Sequence, residues 1–164
     1  MAGTTTPPEI GFRAAKDVDR VFLFEVYASS REEELRLAPW TIEEKRGFLT
    51  QQFEAQDHHY RTYYEGAEFL VIQVDGRDAG RLYVHRVPGE LLVIDIALLP
   101  IEQRQGVGTR ILADLVSEAD RDGRTMSLHV EHNNQARRLY DRLGFRVSGD
   151  TGVYLRLERA GSLS

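Results

Sequence analysis

The sequence contains no cysteine. That absence removes disulfides, thiolate zinc sites and a cysteine nucleophile together. Long apolar runs are also missing: none nears the ~18 residues that span a bilayer. The opening MAGTTTPPEI lacks the charged-then-apolar order of a signal peptide. A soluble, cytoplasmic protein with no membrane partner is therefore expected. Lysine occurs only at Lys16 and Lys45, and arginine supplies the other cations. The formal net charge of -5 gives no bulk attraction for nucleic acid. There are no internal repeats, low-complexity tracts or linker-like stretches, and 164 residues suit one compact α/β domain.

What is present is a legible order of elements. "EIGFRAA" can start a strand. Val18, Phe22 and Val26 recur every four residues, with Leu23 and Tyr27 beside them, which predicts a helix over about 16–28. "SSREEELRLAPW" is charged and less regular, with Pro39 as a stop. Thr41 and Glu44 fit a capping box, and Phe48, Leu49 and Phe53 give the next helix an apolar stripe that fades into "QDHHYRTYYEGA". Three strands follow, "EFLVIQV", "AGRLYVHRV" and "ELLVIDIALLP". The tight turns Asp75-Gly76 and Pro88-Gly89 between them predict antiparallel pairing. Ile111, Leu112, Leu115, Val116 and Ala119 mark a helix after Gly108. "TMSLHV" alternates as a strand, "NNQARRLYDRLGF" is a helix stopped by Gly144, and "FRVSG" with "GVYLRLE" forms a last hairpin.

Between the third of those strands and the helix after it stands Gln103-Arg104-Gln105-Gly106-Val107-Gly108. A helix start offers amides without intrahelical partners at the positive end of its dipole. Glycines let an anion approach that backbone closely. The segment is not a Walker loop, which needs a lysine and a hydroxyl after its second glycine. Nor is it a dinucleotide fingerprint, which needs a third glycine and an early βαβ unit. A plain strand-to-helix turn is the bland alternative.

A second segment bears on the choice. Asn134, Ala136, Leu139 and Tyr140 are followed by Leu143-Gly144-Phe145. With the Gln103-x-x-Gly106-x-Gly108 loop before it, this sequence resembles the GNAT N-acetyltransferase superfamily, over roughly residues 9–158. The resemblance implies an α/β (α+β) GNAT fold: a mixed, mostly antiparallel sheet of about six to seven strands flanked by about four helices. It also implies one acetyltransferase domain over 9–158, a flexible tail over 1–8 and a C-terminal tail over 159–164. The activity it implies is acetyl transfer from acetyl-CoA to a primary amine, by direct attack in a ternary complex.

Carried over residue by residue, the resemblance puts the backbone amides of Arg104, Gln105, Gly106, Val107, Gly108 and Thr109 on the pyrophosphate of acetyl-CoA. Gln103 opens that loop. The backbone of Ile96, Ala97 and Leu98 would pair with the pantetheine arm and polarise the acetyl carbonyl. Tyr140 matches the general acid that protonates the departing thiolate; a phenol with a pKa of about 10 is protonated at neutral pH. Tyr140 also fits as a packing residue beside Leu139 and Leu143. Asn134 would bond the pantetheine or cap the helix that follows, with Asn133 close behind it. Asp95, a carboxylate in mid-strand, is the first choice for the general base. Glu131 and His129, on one strand face with Ser127, are the alternatives.

The absence of cysteine excludes an acetyl-cysteine intermediate. His58-His59 lacks the spacing of a helical metal pair, so no metal is expected. Trp40, Tyr60, Tyr63 and Tyr64 either wall an acceptor pocket or pack. Glu32, Glu33, Glu34, Glu43 and Glu44 are either a rim that attracts a cationic amine or an ordinary solvated face. A non-catalytic acyl-CoA-binding module and a transferase using a longer acyl-CoA remain open. The latter depends on depth near Leu92, Ile94 and Leu128. Homodimers are common in the family, and nothing in the sequence specifies one.

Overall fold

A computed structural model describes residues 6–132, 136–152 and 154–161. Seven strands and four helices follow in the order β1 (Ile10–Ala14), α1 (Arg20–Leu35), α2 (Ile42–Tyr63), β2 (Glu68–Val74), β3 (Arg77–Val87), β4 (Glu90–Leu98), α3 (Val107–Asp122), β5 (Thr125–Glu131), α4 (Arg137–Arg142), β6 (Arg146–Asp150) and β7 (Tyr154–Arg159). The strands hydrogen-bond in the order β1-β2-β3-β4-β5-β7-β6. Pairing is antiparallel for β1 with β2, β5 with β7 and β6 with β7, and parallel for β4 with β5. This is the mixed sheet with about four helices that the sequence implies.

Two compact units divide the described residues. One comprises those up to Tyr63 with Phe69–Arg81 and Ala97–Val107; the other comprises Tyr64–Glu68, Leu82–Ile96 and those from Gly108 on. In the first, Leu23, Tyr27, Leu49, Phe53 and Val71 form a buried cluster. Helix α1 starts later and ends later than its periodicity predicts. A single 3-10 turn, Asp17–Asp19, precedes it, and Val18 is left exposed. Through the charged stretch the helix continues to Leu35; Ser29 and Ser30 donate to the carbonyls of Val26 and Tyr27, and Arg31 pairs with Glu34.

Helix α2 begins as the capping box predicts: Glu44 N–H donates to Thr41 Oγ1 at 3.1 Å, and Thr41 N–H to Glu44 Oε1 at 3.4 Å. Leu49 and Phe53 are buried, but Phe48 is exposed and packs on Trp40. The helix does not fade at Gln56; it runs to Tyr63.

In the second unit, Ile111, Leu112, Leu115 and Ala119 of α3 are buried, as are Met126, Leu128 and Val130 of β5. Helix α4 ends at Gly144, whose φ of +96° lets Phe145 N–H reach back to the Tyr140 carbonyl at 3.0 Å, a glycine-closed helix end. Arg159 then ties β7 to α3 through Asp120 and to the end of α4 through the Leu143 carbonyl.

Candidate active site

The loop after β4 is built by a short 3-10 turn, Pro100–Glu102. Gln103 continues extended. Arg104 and Gly106 then adopt left-handed backbone, φ +68° and +78°, and α3 begins at Val107. Alternation of left-handed residues with ordinary ones turns successive amides toward one side, the geometry of an anion nest. A Cβ built on Gly106 meets nothing within 4 Å. Backbone therefore borders open space there, as a phosphate cradle requires. Gln103, Arg104, Gln105, Gly106 and Thr109 are exposed, Gly108 is half-buried and Val107 is buried. The Gln103 side chain is not aimed at a ligand: its Nε2 donates to the Leu98 carbonyl at 3.0 Å and so pins the loop to the end of β4.

The parallel ladder between β4 and β5 pairs Glu90–Val93 with Thr125–Leu128 and stops there. Ile94, Asp95 and Ile96 of one strand and His129, Val130 and Glu131 of the other continue beyond it. The two strands part at this point, while β5 stays paired with β7 to Glu131. Ile96, Ala97 and Leu98 are each half-buried.

Side-chain alternation assigns the flanking groups to faces. Asp95 shares a face with Leu91 and Val93, and by register with Met126, Leu128 and Val130. Tyr140 is buried, its ring edge-on to Phe145 with centroids 5.9 Å apart. Burial pushes its pKa above the ordinary phenol value, and the Asp95 carboxylate pushes it the same way. Tyr140 and Asp95 are thus electrostatic neighbours.

Ser127, His129 and Glu131 lie on the other, beside Glu158, Arg156 and Tyr154 of β7. Burial first and Arg156 second hold the His129 pKa below the usual imidazole value, with Glu90 opposing. By the same alternation Leu92 and Ile94 share a face, and Leu128 belongs to the opposite one.

Asn134 and Asn133 lie outside the described residues. His132 bonds Asp150 at 2.9 Å. His59 packs against Tyr63 at a tilt, centroids 4.6 Å apart, and Tyr64 meets His85 edge-on. Among the described residues, no group of three or more metal-ligating side chains is arranged to hold a metal, and no helix is long and apolar enough to cross a membrane. A groove of about 580 Å³ lies between α1 and α2, with Glu32 and Glu33 in its lining. Glu25 and Arg46, which also line it, pair with each other at 2.6 Å. Glu44 serves the α2 cap, and Glu34 pairs with Arg31.

Sequence reasoning missed two features around the loop. Glu102 is buried and accepts two hydrogen bonds from Arg77. Gly80 of β3 faces the β4 backbone so closely that a Cβ there would sit 2.2 Å from the Ala97 carbonyl oxygen. Both join residues distant in sequence, and neither leaves a periodic signal.

Comparison with known proteins identifies the fold as that of an acetyltransferase domain. The model of the acetyltransferase (GNAT) domain matches residues 65–147, just over half the chain, and the chain belongs to that family. Among curated proteins, none matches the sequence significantly. Solved structures share the fold. PaiA N-acetyltransferase from Thermoplasma acidophilum, in complex with coenzyme A, aligns with a TM-score of 0.68 at 16% identity over 93% of this chain and 99% of that one. A ribosomal-protein alanine N-acetyltransferase from Escherichia coli aligns at 0.57 and 21% identity, over 95% of this chain and 96% of that one. The ribosomal α-N-protein acetyltransferase RimL, also in complex with coenzyme A, aligns at 0.61 and 18% identity, over 94% and 96%.

Proposed function

We propose that the protein transfers the acetyl group of acetyl-CoA to a primary amine, by direct attack within a ternary complex. The observation that carries the reading is the loop itself: two left-handed residues, Arg104 and Gly106, with open space at Gly106, immediately before a 16-residue helix. The amides of residues 104–109 then take the pyrophosphate, since amides at a helix start favour an anion and need no lysine. The backbone of Ile96, Ala97 and Leu98 takes the pantetheine arm, and Asn134 assists it. Acetyl-CoA supplies the acyl group already activated as a thioester.

Tyr140 serves as general acid. Its raised pKa keeps it protonated at neutral pH, so that a proton is available as sulfur leaves. Asp95 serves as the base that takes the amine proton, and its proximity favours a linked exchange. A proton arriving on Asp95 removes the negative charge that opposes loss of the Tyr140 proton. A second reading places the base at His129, favoured by a lowered pKa that leaves the imidazole neutral and able to accept a proton at pH 7.

The test is thioester consumption across a panel of small amines and peptide N-termini. Loss of the acid in Tyr140→Phe is expected to cost ~100-fold or more in kcat. Full activity in that variant removes Tyr140 from the mechanism. Acetyl-CoA binding without turnover on any acceptor would favour a non-catalytic acyl-CoA-binding module. Asp95→Asn beside His129→Gln separates the two bases by which one flattens the alkaline-rising limb of the pH–rate profile.

A further inference from the structure

Arg104 holds a left-handed backbone with a side chain that disfavours it. Such a conformation costs free energy and persists only where the surroundings over-determine it. The surroundings here are specific. Leu99 N–H donates to the Ala79 carbonyl at 2.9 Å, Glu102 N–H to the Leu99 carbonyl at 2.9 Å and Gln103 N–H to the Pro100 carbonyl at 3.2 Å. Gln103 Nε2 bonds the Leu98 carbonyl. A further tie comes from a distant residue: Arg77, the first residue of β3, donates from Nε and Nη2 to the two carboxylate oxygens of Glu102, at 2.8 and 3.0 Å.

Glu102 is 4% exposed. A carboxylate so placed is costly unless paired, and the planar guanidinium fork matches it with two parallel bonds that fix its orientation as well as its charge. Glu102 stands two residues before Arg104. A fixed Glu102 therefore fixes where the chain enters the left-handed turn.

We propose that Arg77 and Glu102 are positioning residues for the phosphate-binding loop: their ion pair holds the loop entry so that Arg104 stays left-handed and the amides after it stay convergent before ligand arrives. This rests on the reading that the loop binds the pyrophosphate of coenzyme A. The role requires no contact with the ligand from either residue. Their contribution is preorganisation, which lowers the ordering cost of binding.

Calorimetric titration with coenzyme A tests the pair in wild type, Arg77→Gln, Glu102→Gln, the double variant and Glu102→Gln/Arg104→Gly, with Arg104→Gly alone as reference. Strain at one left-handed residue corresponds to about tenfold in Kd. Each single variant is expected to bind about tenfold more weakly, and the double variant no worse than either, because one device is removed once. Glycine at 104 carries no left-handed penalty, so Arg104→Gly should recover affinity in the Glu102→Gln background, a rescue that a purely structural role would not show.

If Glu102→Gln binds more tightly than wild type while Arg77→Gln binds more weakly, the pair acts only by charge and the proposal is overturned. Wild-type affinity in both singles overturns it as well, and so does a loss that Arg104→Gly fails to recover. Should Glu102→Gln not fold, Arg77→Gln, at a half-exposed side chain, carries the test with Arg77→Gln/Arg104→Gly as its rescue. Wild type that binds no coenzyme A overturns the reading of the loop itself, a result distinct from any of these.

Discussion

Gly80→Ala probes a close backbone approach in the first unit. The added Cβ would lie 2.2 Å from the Ala97 carbonyl oxygen and 3.0 Å from Leu98 Cα. These are backbone atoms, so no side chain can swing away. Restoring an ordinary contact of 3.4 Å requires β3 and β4 to separate by about 1.2 Å, far more than packed interiors absorb freely. Overpacking costs about 1–3 kcal/mol, and a backbone neighbour points to the upper end. At about 2–4 °C per kcal/mol for a chain of this size, the melting temperature should fall by roughly 5–12 °C. Because Leu98 and Leu99 hold the loop entry through Gln103 and Ala79, coenzyme A binding should weaken as well. Gly47→Ala is the control: it lies within α2 and its Cβ would meet nothing within 4 Å, so it should raise stability by about 0.5–1 kcal/mol. Thermal melts followed by circular dichroism read both. A Gly80→Ala melting temperature equal to wild type would refute the reasoning.

Asp19 is buried, and Arg13 first and the Lys16 amide second hold its pKa at about 2. A carboxylate depressed in the folded state stabilises above its unfolded pKa, so this contribution should disappear as pH falls from about 4 toward 2. Asp19→Asn should be less stable than wild type at pH 6, with the gap closing across that window; a constant gap in melting temperature would contradict the sign. Asp95→Asn removes a negative neighbour of Tyr140, so the phenol should ionise at lower pH than in wild type. Ultraviolet phenolate titration, with Tyr140→Phe as subtraction, measures that shift, and an unchanged titration would separate the two groups.

The strands were legible because their signals are local. Asp75-Gly76 and Pro88-Gly89 are turn sequences, and Asp75, Gly76 and Gly89 do take positive φ. The capping box at Thr41 was readable for the same reason. Helix ends were less so: α1 runs to Leu35 through a charged, mostly exposed segment, where no apolar stripe marks the helix. The loop motif could be read, but not what holds it. Arg77 and Glu102 stand 25 residues apart, and the Gly80–Ala97 approach depends on how β3 meets β4, which no local pattern encodes. The relation of Asp95 to Tyr140 is likewise a property of sheet alternation plus helix placement.

Calorimetric titration of coenzyme A into the wild-type protein and into Gly106→Glu tests the central claim most directly. Gly106 is left-handed with open space where a side chain would project, and a carboxylate there would occupy and repel the pyrophosphate. Saturable binding by wild type that is abolished in the variant is the predicted result. Absence of wild-type binding, or equal binding by both, would contradict the assignment of this loop as the cradle.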